Sequence, residues 1–201
     1  MPESRSDTKE KIFGTALRLF ATSGVENVSM RDIADAVGIK AASIYNHYAS
    51  KDEIVEACYA YYHDNHALAR LPQEQYIPIL LEGSKEDILR VPDTDLPEEM
   101  TENIVSAMIV LFSRIHTDAK ATEVYTKTID LSLAFLDEYF HAAIRVGRLE
   151  AFDVRGFSML FLSARLFYAQ SVSIHPEAFH DWSTAHQEMI EALMHILPFR
   201  Y

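Results

Sequence analysis

The stretch from Ser29 to Lys51, S-M-R-D-I-A-D-A-V-G-I-K-A-A-S-I-Y-N-H-Y-A-S-K, constrains this chain more than any other. Ser29 followed three residues later by Asp32 has the shape of a capping box, in which a hydroxyl and a carboxylate satisfy N–H groups left over at a helix start. A helix therefore starts at Ser29. Ile33, Ala34 and Val37 recur at helical spacing on its apolar face, and Gly38 stands where a helix end favours a residue that tolerates positive φ. A second helix, Ala41 to about Tyr48, follows almost at once, with Ile44 as its inward anchor and Ser43, Tyr45, Asn46 and His47 around the rim. Two helices joined so closely form a helix-turn-helix. In that geometry the second helix lies in the DNA major groove and the first crosses the backbone. The small side chains of Ala41 and Ala42 suit such close approach. Ser50 and Lys51 then open another helix, whose first turn favours a phosphate.

A net charge of −12 runs against a polyanionic partner unless it is unevenly placed. The first 52 residues carry seven basic and seven acidic side chains, so the whole excess falls on the remainder. An acidic body repels DNA everywhere but at the head, which favours one docking orientation. The 201 residues suffice for one or two domains with a substantial core, and 6 Gly and 7 Pro are few for a turn-rich β fold. The single cysteine, Cys58, and the lack of a cationic, apolar leader at the start point to a reducing cytoplasm.

Taken in order, the periodicities predict an all-α chain. Ile12, Phe13, Ala16, Leu17 and Phe20 form one stripe of a first helix from about Thr8 to Ser23, ending at Gly24. Arg5 and Lys9 stand where an N-terminal arm could reach a phosphate or the minor groove, or form part of a solvated terminus. A fourth helix, about residues 51–70, turns Ile54, Cys58, Tyr61 and Leu68 inward and links a helix-turn-helix domain, residues 1–52, to a helical body, residues 71–201. Short helices are predicted near Gln73–Leu81 and Lys85–Leu89, then long ones through Met100, Ile104, Met108, Leu111 and Ile115, and through Ile129, Leu133, Leu136, Phe140 and Ala143. Residues 157–172 are apolar nearly all round but too short and polar to span a bilayer, so they are expected to be buried in protein. Phe179, Trp182, His186, Met189, Leu193 and Ile196 form a coiled-coil-like seam in the last helix. Such a pair of helices fits an intermolecular four-helix bundle or, equally by periodicity, a core within one chain.

The apolar first helix, the S-M-R-D-I-A-D-A-V-G-I segment, the S-I-Y-N-H-Y motif and S-K-D-E-I together resemble the TetR family of bacterial transcription regulators, over about Lys9 to Cys58. The resemblance implies a homodimer paired through the last two long helices, here Phe157, Leu160, Ala164 and Phe167 with Phe179, Trp182, His186, Met189, Leu193 and Ile196. Two recognition helices related by a two-fold axis would read a palindromic double-stranded operator. Lys51, Tyr45 and His47 are then candidate phosphate contacts, and Lys40, Ser43 and Asn46 the candidate base readers. Ser29, Arg31, Ala41 and Ala42 complete the DNA-facing set. Tyr45 reads also as a core aromatic with its hydroxyl at the surface, and Arg31 as a solvated helix-face charge. The family often has Ser or Thr where Lys40 stands, and a basic residue or Gly in place of Ala41 and Ala42, so the bases read do not carry over.

The resemblance also implies a small-molecule effector held among the body helices, for which Tyr62, His66, Met108, Phe112, His116, Tyr125, Phe135, Tyr139, Met159 and Arg165 are candidates. Plain core packing is the competing role for each. The expected protein is a ligand-responsive repressor. A helix-turn-helix protein working through protein partners, and a small all-α enzyme or carrier, are the alternatives. Nine histidines include the pairs His63/His66 and His175/His180, but no H-E-x-x-H motif or Cys/His cluster accompanies them, so no metal is expected. No nucleophile elbow, dinucleotide fingerprint or P-loop is present, so neither catalysis nor a cofactor is expected.

Overall fold

The computed structural model describes residues 5–65, 71–90, 97–174 and 182–200. These fold into helices and no strand, with one isolated antiparallel bridge between Leu149 and Phe199. The helices are α1 (Arg5–Ser23), α2 (Met30–Val37), α3 (Ala41–Ile44), α4 (Lys51–Asn65), α5 (Gln73–Glu82), α6 (Lys85–Arg90), α7 (Glu98–Arg114), α8 (Ala119–Arg145), α9 (Val154–Ile174) and α10 (Trp182–Ile196). A 3-10 turn, Val25–Asn27, separates α1 from α2. The chain divides into two compact units, residues 1–66 with 96–127 and residues 67–95 with 128–201. Helix α7 therefore belongs to the same unit as the helix-turn-helix, whereas the sequence boundary puts it in the body.

In the first unit α1 buries Ile12, Ala16, Leu17 and Phe20, and packs on α2, α4 and α7. Helix α4 buries Ile54, Val55, Cys58, Tyr59 and Tyr62. The inward stripe predicted through Tyr61 is displaced, because Tyr61 is only half-buried and pairs with Phe13 at 5.3 Å, while Tyr59 and Tyr62 point inside. Leu68 lies outside the described residues.

The second unit has an aromatic core. The Phe140 ring lies 4.9 Å from Phe157, 5.4 Å from Tyr139, 6.1 Å from Phe161 and 6.3 Å from Phe152, mostly edge to face as ring quadrupoles prefer. Tyr76 and Leu80 of α5, Ile88 and Leu89 of α6, and Ile190, Leu193 and Leu197 from the C-terminal region join this core. The buried Tyr139 hydroxyl donates to the Ile88 carbonyl at 2.7 Å, so its polar end is satisfied. Helix α9 departs from expectation. Its predicted all-round burial holds for Phe157, Phe161 and Leu162, but Met159, Leu160 and Phe167 are exposed.

Two Ser-x-x-Asp boxes start helices. At α2 the Ser29 N–H donates to Asp32 Oδ2 at 2.8 Å while the Asp32 N–H donates to Ser29 Oγ at 3.2 Å. At α6 the Ser84 N–H donates to Asp87 Oδ2 at 2.7 Å and the Asp87 N–H to Ser84 Oγ at 3.1 Å. Hydrogen bonds from the serine hydroxyl, then from its backbone N–H, hold both carboxyls below their ordinary value. Depressed folded-state values mean that this stabilisation is complete above about pH 4, the unfolded carboxyl range, and is lost as pH falls through the folded values. Urea midpoints should therefore begin to fall below about pH 4, and the fall should be shallower in the Asp32→Asn, Asp87→Asn double variant.

Candidate nucleic-acid interface

Helix α2 ends where the sequence predicts. Gly38 adopts φ 82°, and its N–H and that of Ile39 donate to the Asp35 and Ala34 carbonyls at 3.2 and 3.0 Å, a Schellman closure. A Cβ at positive φ would be strained there. Helix α3 is shorter than predicted, because regular α geometry stops at Ile44 and the chain continues to Tyr48 through turns, with His47 N–H donating to Ile44 O at 2.9 Å. Ile44 is fully buried, so the platform beneath the rim is apolar.

Above that platform Lys40, Ala41, Ala42 and Asn46 are exposed, Tyr45 is 56% exposed, and Ser43 and His47 are half-buried. At that exposure Tyr45 is not packed as a core aromatic. Ser29, also exposed, has its hydroxyl engaged with Asp32, since Oγ donates to Oδ2 at 2.6 Å. Arg31 is exposed and lies 3.8 Å from Asp35, a loose pair between adjacent turns. Lys51, a candidate phosphate contact, is already engaged within the head. Its Nζ donates to the Val25 carbonyl at 2.9 Å, tying the start of α4 to the 3-10 turn, although an ammonium retains two further donors.

The amino-terminal cations are also engaged. Arg5 Nη2 donates to the Asn46 carbonyl at 2.8 Å, and Lys9 Nζ lies 4.9 Å above the Tyr48 ring. Burial pushes the Tyr48 hydroxyl up to about 12, with Cys58 and Glu53 adding to the effect, so the ring stays neutral. The start of α1 thus braces the far end of the recognition segment, a contact 41 positions apart that periodicity does not reveal.

The effector candidates are divided between the two units. Tyr62, Phe112 and Tyr125 form an edge-to-face series at 6.5 and 5.5 Å in the first, with Met108 buried and His116 exposed. In the second, Phe135 stacks on Tyr139 at 5.8 Å, Arg165 lies 5.9 Å from the Phe161 ring centre, and Met159 is exposed. His66 lies outside the described residues. Of the predicted seam, Phe157 and Leu193 are buried in the second unit's own core, Ala164 and Met189 are half-buried, and Leu160, Phe167 and Ile196 are exposed. Phe179 is outside the described residues, as are the side chains of Trp182 and His186. Among the described residues no group of three His, Cys, Asp or Glu could hold a metal ion, and no helix is long and apolar enough to cross a membrane.

A capped α2, a left-handed glycine turn and a short α3 packed on α2 define a helix-turn-helix protein. Residues 12–58 match the bacterial regulatory proteins of the tetR family. Over 60 residues the chain is 42% identical to the biofilm operon icaADBC negative transcriptional regulator IcaR of Staphylococcus epidermidis, covering 28% of this chain and 32% of that protein. It thus spans about a third of that relative's length. A tetR-family regulatory protein from Rhodococcus RHA1 shares the fold over 99% of this chain and 100% of that one, with TM-score 0.64 and 14% identity. SmeT, in its triclosan complex, does so over 95% and 91%, with TM-score 0.66 and 14% identity. The tetR-family match is thus to the head, residues 12–58, and the likeness over the rest of the chain is one of fold.

Proposed function

We propose that this chain is a DNA-binding transcriptional repressor of the cytoplasm, which reads a palindromic operator as a homodimer and is released by a small molecule. The observation that carries this reading is the rim of α3. Lys40, Ala41, Ala42, Tyr45 and Asn46 are exposed together on a platform anchored by buried Ile44, with small residues where a groove wall would approach. A neutral head on a chain of net charge −12 supports the same docking face. The resemblance of the head to IcaR, a negative regulator, favours repression.

Pairing is supported by the exposed apolar residues of α9 and α10, which a single protomer leaves uncovered. For the effector, SmeT binds triclosan within the same fold, and the aromatic sets Tyr62/Phe112/Tyr125 and Phe135/Tyr139 are the candidate contacts here. An effector would have to bind the DNA-free state more tightly than the DNA-bound state.

The test is fluorescence anisotropy on a duplex selected by the wild-type chain from a random library, across a salt series. Asn46→Ala or Lys40→Ala should change which bases are tolerated, at about 1–3 kcal/mol for the affected position. Lys51→Ala should weaken all duplexes alike and flatten the log K against log [salt] slope by about one or less, since one of its donors holds Val25. Failure to select any duplex would overturn the proposal, and a uniform loss from all three variants would overturn the assignment of base readers.

A further inference from the structure

The 3-10 turn Val25–Asn27 stands between α1 and α2, so its position sets where the capped helix begins. It is held on two sides. From α4, Lys51 Nζ donates to the Val25 carbonyl at 2.9 Å. From the end of α7, Arg114 Nη1 donates to the Glu26 carboxylate, a contact spanning 88 positions in the chain. Behind it, Arg114 Nε lies 3.6 Å from Asp118 Oδ2, an ion pair longer than a hydrogen bond. The same carboxylate oxygen accepts from the Tyr59 hydroxyl of α4 at 2.9 Å, and the other accepts from the Lys120 and Ala121 N–H groups at the start of α8, at 2.9 and 3.4 Å. Glu26, Arg114, Asp118 and Tyr59 thus make one chain of polar contacts across three elements.

We infer that Arg114 is a positioning residue of the DNA-reading head, fixing the turn in front of α2 against the α7–α8 corner. This rests on the DNA-reading function proposed above and adds to it a residue outside the helix-turn-helix. The competing effect is solvent screening, because an exposed ion pair contributes little and the Glu26 side chain is 78% exposed. Arg114 differs from an ordinary surface cation. Its side chain is only 22% exposed, and its guanidinium is ion-paired with a carboxylate that is itself hydrogen-bonded on both oxygens. Burial alone would raise the Asp118 carboxyl, but the Tyr59 hydroxyl and the two backbone N–H groups outweigh it and leave the value lowered. Asp118 therefore stays ionised beside Arg114 at neutral pH. An arm that is already ordered sacrifices little side-chain entropy when it takes hold of Glu26.

The experiment is a double-mutant cycle of Glu26→Gln and Arg114→Gln, read by hydrogen exchange on the free protein and by anisotropy on the selected duplex and a scrambled one. The Asn27 and Val28 amides report directly, since they donate to the Gly24 and Val25 carbonyls at 3.2 and 3.4 Å. Each single variant should speed their exchange about three- to fivefold, with the double variant no faster than Arg114→Gln and the α9 amides unchanged. Affinity for the selected duplex should fall by a similar factor while the scrambled duplex is bound as before. Additive effects, unchanged exchange at Asn27 and Val28, or equal losses on both duplexes would overturn the inference. Should the wild-type chain select no duplex, the DNA-reading proposal fails, and the exchange cycle still decides whether Arg114 positions the turn.

Discussion

Phe140→Ala is expected to destabilise the protein by about 3–5 kcal/mol, as a fully buried aromatic does when its removal leaves a cavity. The ring is 1% exposed and has four aromatic neighbours, Tyr139, Phe152, Phe157 and Phe161, drawn from α8, α9 and the loop between them. Collapse into the cavity is hindered because those neighbours are themselves held, Tyr139 by its hydrogen bond to Ile88 and Phe157 by contacts with Phe152 and Phe161. The transfer and cavity contributions therefore add instead of relaxing away. Urea unfolding followed by far-UV circular dichroism measures the loss. Phe152→Ala, at a half-buried position, should cost less, and a Phe140→Ala loss below about 1 kcal/mol would contradict the packing described.

Phe167→Asp should have the largest effect on function while leaving the protomer folded. Phe167 is 71% exposed and Leu160, seven residues earlier on the same face of α9, is 49% exposed, so neither contributes much to the protomer's own core. A carboxylate at that position is solvated in a monomer but desolvated and unpaired in a dimer seam. On the pairing proposed above, sedimentation should show a dimer for the parent and a monomer for the variant at the same concentration. Because the second recognition helix of a dimer binds at high effective concentration, the variant should bind the selected duplex about a hundred- to ten-thousandfold more weakly. An unfolding free energy within about 0.5 kcal/mol of that of the parent diluted to monomer would confirm that the protomer is intact. A dimer that survives the substitution would place the interface elsewhere.

Much of the head was legible because its signals are local. The capping box of Ser29 and Asp32, the apolar spacing of Ile33, Ala34 and Val37, and the left-handed Gly38 each depend on residues within one or two helical turns. The structure realises them within a residue of the expected positions. The end of α3 was harder to read, because Tyr45, Asn46 and His47 have ordinary helix chemistry and the chain leaves α geometry there only in company with Arg5 and the buried Tyr48. Tyr61 and Tyr62 present the same difficulty in α4. Both fit an apolar stripe, and only the neighbouring surfaces of α1 and α7 decide which of them is buried.

By itself, then, the sequence determined the helical class, the turn and the family of the head. Tertiary structure alone decided that Lys51 grips the Val25 carbonyl, that Arg114 reaches Glu26, that Phe157 and Leu193 belong to the protomer's own core, and that Leu160 and Phe167 do not. The physical reason is range. Caps and periodicity are set by hydrogen bonds and side-chain spacing within a few residues, whereas the partner of a long cation or the covered side of an apolar helix is set by whichever surface packing brings against it.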